Sequence, residues 1–179
     1  MLNNLLMIID AVTGLFAAVL LLRFWMQAVR VRPPAHISQF TFQLSDWLVK
    51  PLRRLVPGVA GYDWASLIGA LLIAIITCFV KDMLRASLIV NFLFNPVLVF
   101  LLSFFLLIKW ILYGWSGLLI ISVIFSWLNP NAPMAPFINA LSYPILRPIR
   151  RVIPPIGGID LSPMVALIGF QFTIGLLPN

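Results

Sequence analysis

Four long apolar runs, joined by basic or proline-punctuated segments, constrain this chain more than any other feature. They extend from about Leu5 to Ala28, from Trp64 to Val80, from about Val97 to Leu128 and from Leu161 to Leu177. A helix rises about 1.5 Å per residue, so about 20 apolar residues cross a hydrocarbon core of about 30 Å. The second and fourth runs, at roughly 17 residues, sit at the short limit, and the third is long enough to tilt or project. Composition agrees: 62% of residues are hydrophobic and 9% charged, against roughly 45–50% and 25% in a soluble domain. So few charges cannot cover the surface of a soluble fold of 179 residues. The chain is expected to be an all-α membrane protein.

The first run resembles a secretory signal only superficially. Met1 to Asp10 carries no Lys or Arg, and Asp10 interrupts a run that continues to Ala28. A retained membrane helix is expected there rather than a cleaved signal with a basic start. Ala86 to Phe94 is also apolar, but Asn95-Pro96 ends it. That stretch reads as an extension or interfacial piece rather than a fifth span.

An internal correspondence organises the rest. Pro51-Leu52-Arg53-Arg54-Leu55-Val56-Pro57 reappears as Pro148-Ile149-Arg150-Arg151-Val152-Ile153-Pro154. At the same offset Phe40, Leu44, Ser45, Gly61 and Asp63 match Phe137, Leu141, Ser142, Gly158 and Asp160. An apolar run ending on tryptophan, Trp25 or Trp127, precedes each copy. The expected architecture is therefore about four spans in two parallel repeats of helix–amphipathic loop–helix, residues 1–94 and 95–179. With two spans per unit, both basic loops lie on one side and both termini on the other. Arg30, Arg32, Lys50, Arg53, Arg54, Arg147, Arg150 and Arg151 outweigh Lys81 and Arg85, so the loops are expected in the cytoplasm.

Ile37 to Val49 has apolar residues at 37, 40, 44, 47 and 48, one helical face with polar residues largely off it. Its counterpart, Phe137 to Leu146, contains Pro144, which predicts a short or kinked helix. The arginine pairs Arg53-Arg54 and Arg150-Arg151 admit two readings. Juxtamembrane arginines commonly serve as anchors, and their planar forks also suit a phosphate headgroup or an acidic protein partner. Asp63 and Asp160 stand where a carboxylate caps a following helix, with Gly61 and Gly158 allowing a tight bend after Pro57 and Pro154. Asp10 and Lys109 lie well inside runs, where ionisable groups are functional candidates. They are expected either to snorkel outward or to pair if the first and third runs are neighbours.

No catalytic constellation is visible. One histidine (His36), one cysteine (Cys78) and no glutamate leave no metal cluster, Cys-His pair or carboxylate dyad. No cofactor is expected, and Cys78, alone inside an apolar run, is expected to pack as a small residue. The net charge of +7 flanks apolar spans instead of forming one dense tract, which favours anionic phospholipid over nucleic acid as partner.

The doubled Pro-Leu-Arg-Arg-Leu-Val-Pro…Gly-x-Asp and Pro-Ile-Arg-Arg-Val-Ile-Pro…Gly-x-Asp pattern, with Leu22-Arg23-Phe24-Trp25-Met26 before the first copy, resembles the YggT family. These are small bacterial inner-membrane proteins with one or two such units, related to the YlmG proteins of Gram-positive bacteria, cyanobacteria and plastids. The second unit has Phe125-Ser126-Trp127 where the first has Arg23-Phe24-Trp25, so an arginine there cannot be essential to both. The resemblance implies a membrane protein without established catalysis. It also implies links to osmotic stress tolerance, cell division or nucleoid distribution, and plastid cytochrome maturation. A non-enzymatic scaffold or assembly factor is the first expectation, its basic loops touching anionic lipid or a protein partner. A small, homo-oligomeric channel or transporter for ion homeostasis is the second. In that case Asp10 and Lys109 would line the path, and Gly114 and Gly117 would permit close helix packing.

Overall fold

A computed structural model describes residues 2–58, 61–86, 94–129, 131–153 and 160–178, and every regular element among them is an α-helix. The order is α1 (Leu2–Ala28), α2 (Ala35–Leu55), α3 (Trp64–Ala86), α4 (Pro96–Leu128), α5 (Ala135–Val152) and α6 (Ser162–Leu176). Three of them, α1, α3 and α4, are long and apolar enough to cross a membrane, with mean hydropathies of 2.5, 2.2 and 2.3. The fourth apolar run differs from expectation. It yields a helix of 15 residues, about 22 Å long, shorter than a hydrocarbon core of about 30 Å. The interfacial piece expected over Ala86–Phe94 falls on residues 87–93, which lie outside the described residues.

Local chemistry sets the helix ends. Asn95 opens α4, its Oδ1 accepting from the backbone N–H of Val97 at 3.0 Å and of Leu98 at 3.2 Å, with Pro96 at the first helical position. At the end of α1 the amide of Val31 donates to the Met26 carbonyl and that of Arg30 to Gln27, both at 3.0 Å. This is a Schellman closure, and Arg30 occupies its left-handed position with φ 57°. Val31 and Met26 share one apolar cluster, the side-chain contact that accompanies such a closure.

The amphipathic segments between the runs, expected as helices over Ile37–Val49 and, shortened or kinked, over Phe137–Leu146, extend further than expected. α2 continues past Pro51 to carry Arg53 and Arg54 in its last turn, and α5 runs through Pro144 and Pro148 to carry Arg150 and Arg151. α5 does not stop at Pro144, as one of the two expected outcomes had it, but runs on to Val152. A proline frees the carbonyl four residues earlier. Each of these prolines stands on an exposed side of its helix, so the freed group need not be buried without a partner.

α1 packs on α3, α3 on α4, and α4 also touches α1, α5 and α6. Gly14 lets α1 approach α4, since a Cβ there would lie 3.3 Å from the Trp110 Nε1. Gly114 and Gly117 have open space around them instead. Buried hydroxyls in this apolar interior fold back on their own helices. Thr77, Ser103 and Ser116 donate to the carbonyls four residues earlier at 2.6–2.8 Å, which keeps them satisfied without water.

α4 joins the two halves of the chain by packing on α1 and α3, and α5 adds a contact to the end of α1. Leu141, fully buried, packs with Met26, Phe137 and Ile138, and the Trp25 Nε1 donates to the Leu141 carbonyl at 3.1 Å. Leu141→Ala is expected to lower stability by about 2–5 kcal/mol, the cost of a cavity at a buried leucine. The check is the thermal unfolding midpoint of the detergent-solubilised protein beside that of Leu44→Ala, an exposed position on α2.

Candidate functional site

Arg23 lies in the C-terminal half of α1 and is only 3% exposed. Its guanidinium cannot shed its proton at any ordinary pH, so the fold must surround it with acceptors. Nε donates to Asp63 Oδ2 at 3.1 Å, and Nη1 donates to Ser45 Oγ at 2.6 Å and to Asp46 Oδ1 at 2.8 Å. Its carbon centre sits 4.7 Å from the Phe42 ring centroid, a cation–π distance. The Ser45 hydroxyl donates to the Thr41 carbonyl at 2.7 Å, so its oxygen lone pairs can accept from Arg23.

Asp63, 2% exposed, lies just before α3 and is the hub of the cluster. Arg53 reaches it as a fork, Nε to Oδ1 at 3.1 Å and Nη2 to Oδ2 at 2.6 Å, and Ser66 Oγ donates to Oδ2 at 2.7 Å. The preceding turn is made possible by Gly61, whose φ of 82° suits a residue without a Cβ. Asp46 bridges Arg23 to Lys50, whose Nζ lies 2.9 Å away one helical turn on. Three cations and two carboxylates thus pin α2 to the end of α1 and the start of α3. Burial alone pushes the Asp63 carboxyl upward, but the bonds from Arg53 and Ser66 and the charges of Arg53 and Arg23 outweigh it and hold it below the usual carboxylate range. The bonds from Lys50 and then Arg23 lower Asp46 likewise.

The matching segment in the second half repeats part of this. Arg150 reaches Asp160 Oδ2 through Nε at 2.8 Å and Nη2 at 2.6 Å, and Asp160 Oδ1 accepts from the Ser162 amide at 2.9 Å. Asp160 caps the start of α6, whereas the Asp63 side chain is occupied by arginines and a hydroxyl. Its carboxyl is also lowered: burial raises it, and the Ser162 and Arg150 bonds prevail. Tyr143 stands at the position matching Asp46, and the Asp160 side chain is 32% exposed against 1% for Asp63.

The four arginines singled out from sequence therefore divide. Arg53 and Arg150 turn to aspartates, while Arg54 and Arg151 are exposed and make no ion pair among the described residues. Pro57 is exposed beyond α2, and Pro154 and Gly158 lie outside the described residues. Asp10 takes Lys81, whose Nζ lies 2.9 Å from both carboxylate oxygens, in place of the pairing considered with Lys109. The antiparallel packing of α3 on α1 brings the end of one helix level with the start of the other. Lys109 is buried on α4 and lines a cavity shared with Asp10 and Lys81. Arg23, Ser45, Asp46 and Ser66 were not singled out from sequence as site residues. The available signal was a charge inside an apolar run and the Asp46–Lys50 spacing of four. Among the described residues no three His, Cys, Asp or Glu gather as metal ligands.

The chain matches the CCB3/YggT family over residues 2–84 and 101–179. It is 34% identical over 171 residues to the uncharacterized protein YggT of Escherichia coli strain K12, covering 93% of this chain and 85% of the relative. It is 32% identical over 171 residues to an uncharacterized protein in the proC 3' region of Vibrio alginolyticus, covering 95% and 91%. An uncharacterized protein of Haemophilus influenzae is 36% identical over 161 residues, covering 89% and 83%. No solved structure matches. The chain belongs to the CCB3/YggT family.

Asp63→Asn takes from Arg23 and Arg53 the buried carboxylate they share, leaving Arg23 only Asp46 and Ser45, and is expected to cost about 3–5 kcal/mol. Asp160→Asn breaks a half-exposed pair and is expected to cost about 1 kcal/mol or less. Chemical denaturation in micelles ranks the two. Asp46 and Asp63 have folded pKa values below their unfolded ones, so their stabilisation is complete above the ordinary aspartate value of about 4 and is lost as pH falls through the depressed folded values. The wild-type unfolding midpoint should therefore drop on acidification, and Asp63→Asn should flatten that slope.

Proposed function

We propose that this CCB3/YggT-family membrane protein is a non-enzymatic, multi-pass scaffold of the bacterial inner membrane. Its two basic helices rest on the cytoplasmic leaflet and present arginines to anionic lipid or to a protein partner in an assembly process. The observation that carries the reading is the division of labour within each arginine pair. Arg53 and Arg150 are spent on Asp63 and Asp160, which fixes the last turn of α2 and α5, while Arg54 and Arg151 project outward. A cation held at a defined place and left unneutralised suits recognition of phosphate or carboxylate.

The face of α2 supports the same reading. Phe40, Leu44, Trp47 and Leu55 are exposed, from 41% to 80%, beside Arg32 and Arg54, the composition of a helix lying in the headgroup plane. Each such cation gains about 1 kcal/mol near an anionic surface. The excess of Lys and Arg around α2 and α5 over that around the end of α3 favours placing these helices in the cytoplasm.

In-cell crosslinking followed by mass spectrometry, comparing wild type with Arg54→Ala/Arg151→Ala, tests the reading. These two changes leave both Arg–Asp pairs intact, so insertion and abundance should match wild type. A protein crosslinked in wild type and depleted at least several-fold in the variant is the expected result. Equal crosslinking in both, or none in either together with solute flux in liposomes, would replace the scaffold with the channel reading.

A further inference from the structure

A cavity of about 910 Å³ opens between α1, α3 and α4, with Pro178 closing one side. Its wall changes character along the helices. Asp10, Lys81, Asp82 and Arg85 gather where α1 begins and α3 ends, and Lys109 follows on α4. About 12 Å further along α1, at Ala18, the lining is apolar and aromatic. A second, partly open cavity of about 440 Å³ lies beyond, lined mainly by α1, α4 and α5 with Trp25, Trp115, Leu118 and Phe137 in its wall, and by Ile37 of α2 and Leu67 of α3. Ala18, Trp110, Tyr113 and Gly114 line both, so the two chambers adjoin.

Charge indicates what suits the first chamber. Three cationic side chains face two carboxylates. Asp10 is taken by Lys81, while Arg85 stands 3.8 Å from Asp82, too far for a strong hydrogen bond. That leaves the Arg85 fork able to turn to an oxyanion. The second chamber offers almost no polar surface and can accept only hydrocarbon. A small anion would leave the aromatic chamber unfilled, and a neutral hydrocarbon would make no use of the charged end. The wall matches a molecule with one charged end and one apolar end.

We propose that the adjoining cavities bind an anionic amphiphile. Its phosphate or carboxylate head sits beside Arg85, Lys81 and Lys109, and one hydrocarbon chain passes Gly114 into the chamber walled by Trp25 and Trp115. The charged end of this site lies at the end of the bundle away from the arginines of the proposed scaffold surface, while its apolar end reaches Ile37 on α2 and Phe137 on α5.

The test uses the full chain, purified in non-ionic detergent and stripped of lipid. Native mass spectrometry reads retained ligand, and quenching of tryptophan by a brominated chain reports its place. The probes are phosphatidylglycerol with a brominated chain, phosphatidylcholine with the same chains, a brominated fatty acid and inorganic phosphate. Phosphatidylglycerol is expected to stay as a one-to-one adduct and to quench, with phosphatidylcholine doing neither. Fatty acid binding as tightly would assign the head to a carboxylate and support the site. Arg85→Gln should weaken retention roughly fivefold, from about 1 kcal/mol per cation. Gly114→Phe places a ring where a Cβ meets nothing within 4 Å, and should abolish quenching while the charged end stays intact. Inorganic phosphate binding as tightly as phosphatidylglycerol, equal retention of both lipids, or wild-type behaviour of both variants would overturn the proposal.

Discussion

A permanent positive charge near the end of an apolar helix forces much of what surrounds it. Arg23 cannot be neutralised by losing its proton, and leaving it unpaired away from water would cost several kcal/mol. Its acceptors come from three places far apart in sequence: Asp63 before α3, and Ser45 and Asp46 on α2. Meeting one electrostatic demand therefore fixes the height of α2 against α1 and the point at which α3 starts. Arg53 then adds a second cation to Asp63, so the carboxylate carries more hydrogen bonds than a helix cap needs.

The second half uses the same residue types at the same offset under a weaker demand. Phe125 aligns with Arg23, counting from the paired tryptophans, and Tyr143 aligns with Asp46, so the Arg150–Asp160 pair has no buried cation behind it. α5 is instead held by apolar packing against α1 and α4 and by the bond from Trp25 to the Leu141 carbonyl. Similar motifs thus fasten their helices by different physics. One is a closed charge network whose parts depend on each other; the other is a core contact with an ion pair at its rim.

The apolar runs at 5–28, 64–80 and 97–128 were legible because length and hydropathy alone decide whether a helix can live in hydrocarbon. The pairing of Arg53 with Asp63 was not, since the two stand ten positions apart across Pro57 and Gly58 and the motif reads equally well as an anchor and a cap. Pro51, Pro144 and Pro148 misdirect a local reading: proline argues against a continuing helix, and only the exposure of each explains why the helix tolerates it. Asp10 was recognisable as an intramembrane charge, but its partner depended on which helix end came level with it. Lys81 looked like a stop at the end of a span, and antiparallel packing made it the answer to Asp10.

The unequal lengths of α4 and α6 bear on the bilayer itself. α4, with 33 residues, is about 50 Å long, well beyond the hydrocarbon thickness, while the adjoining α6 falls short of it. A bilayer of even depth cannot suit both. By length alone α4 crosses the hydrocarbon only by leaning or by projecting beyond it, whereas α6, at about 22 Å, reaches roughly three quarters of the way through.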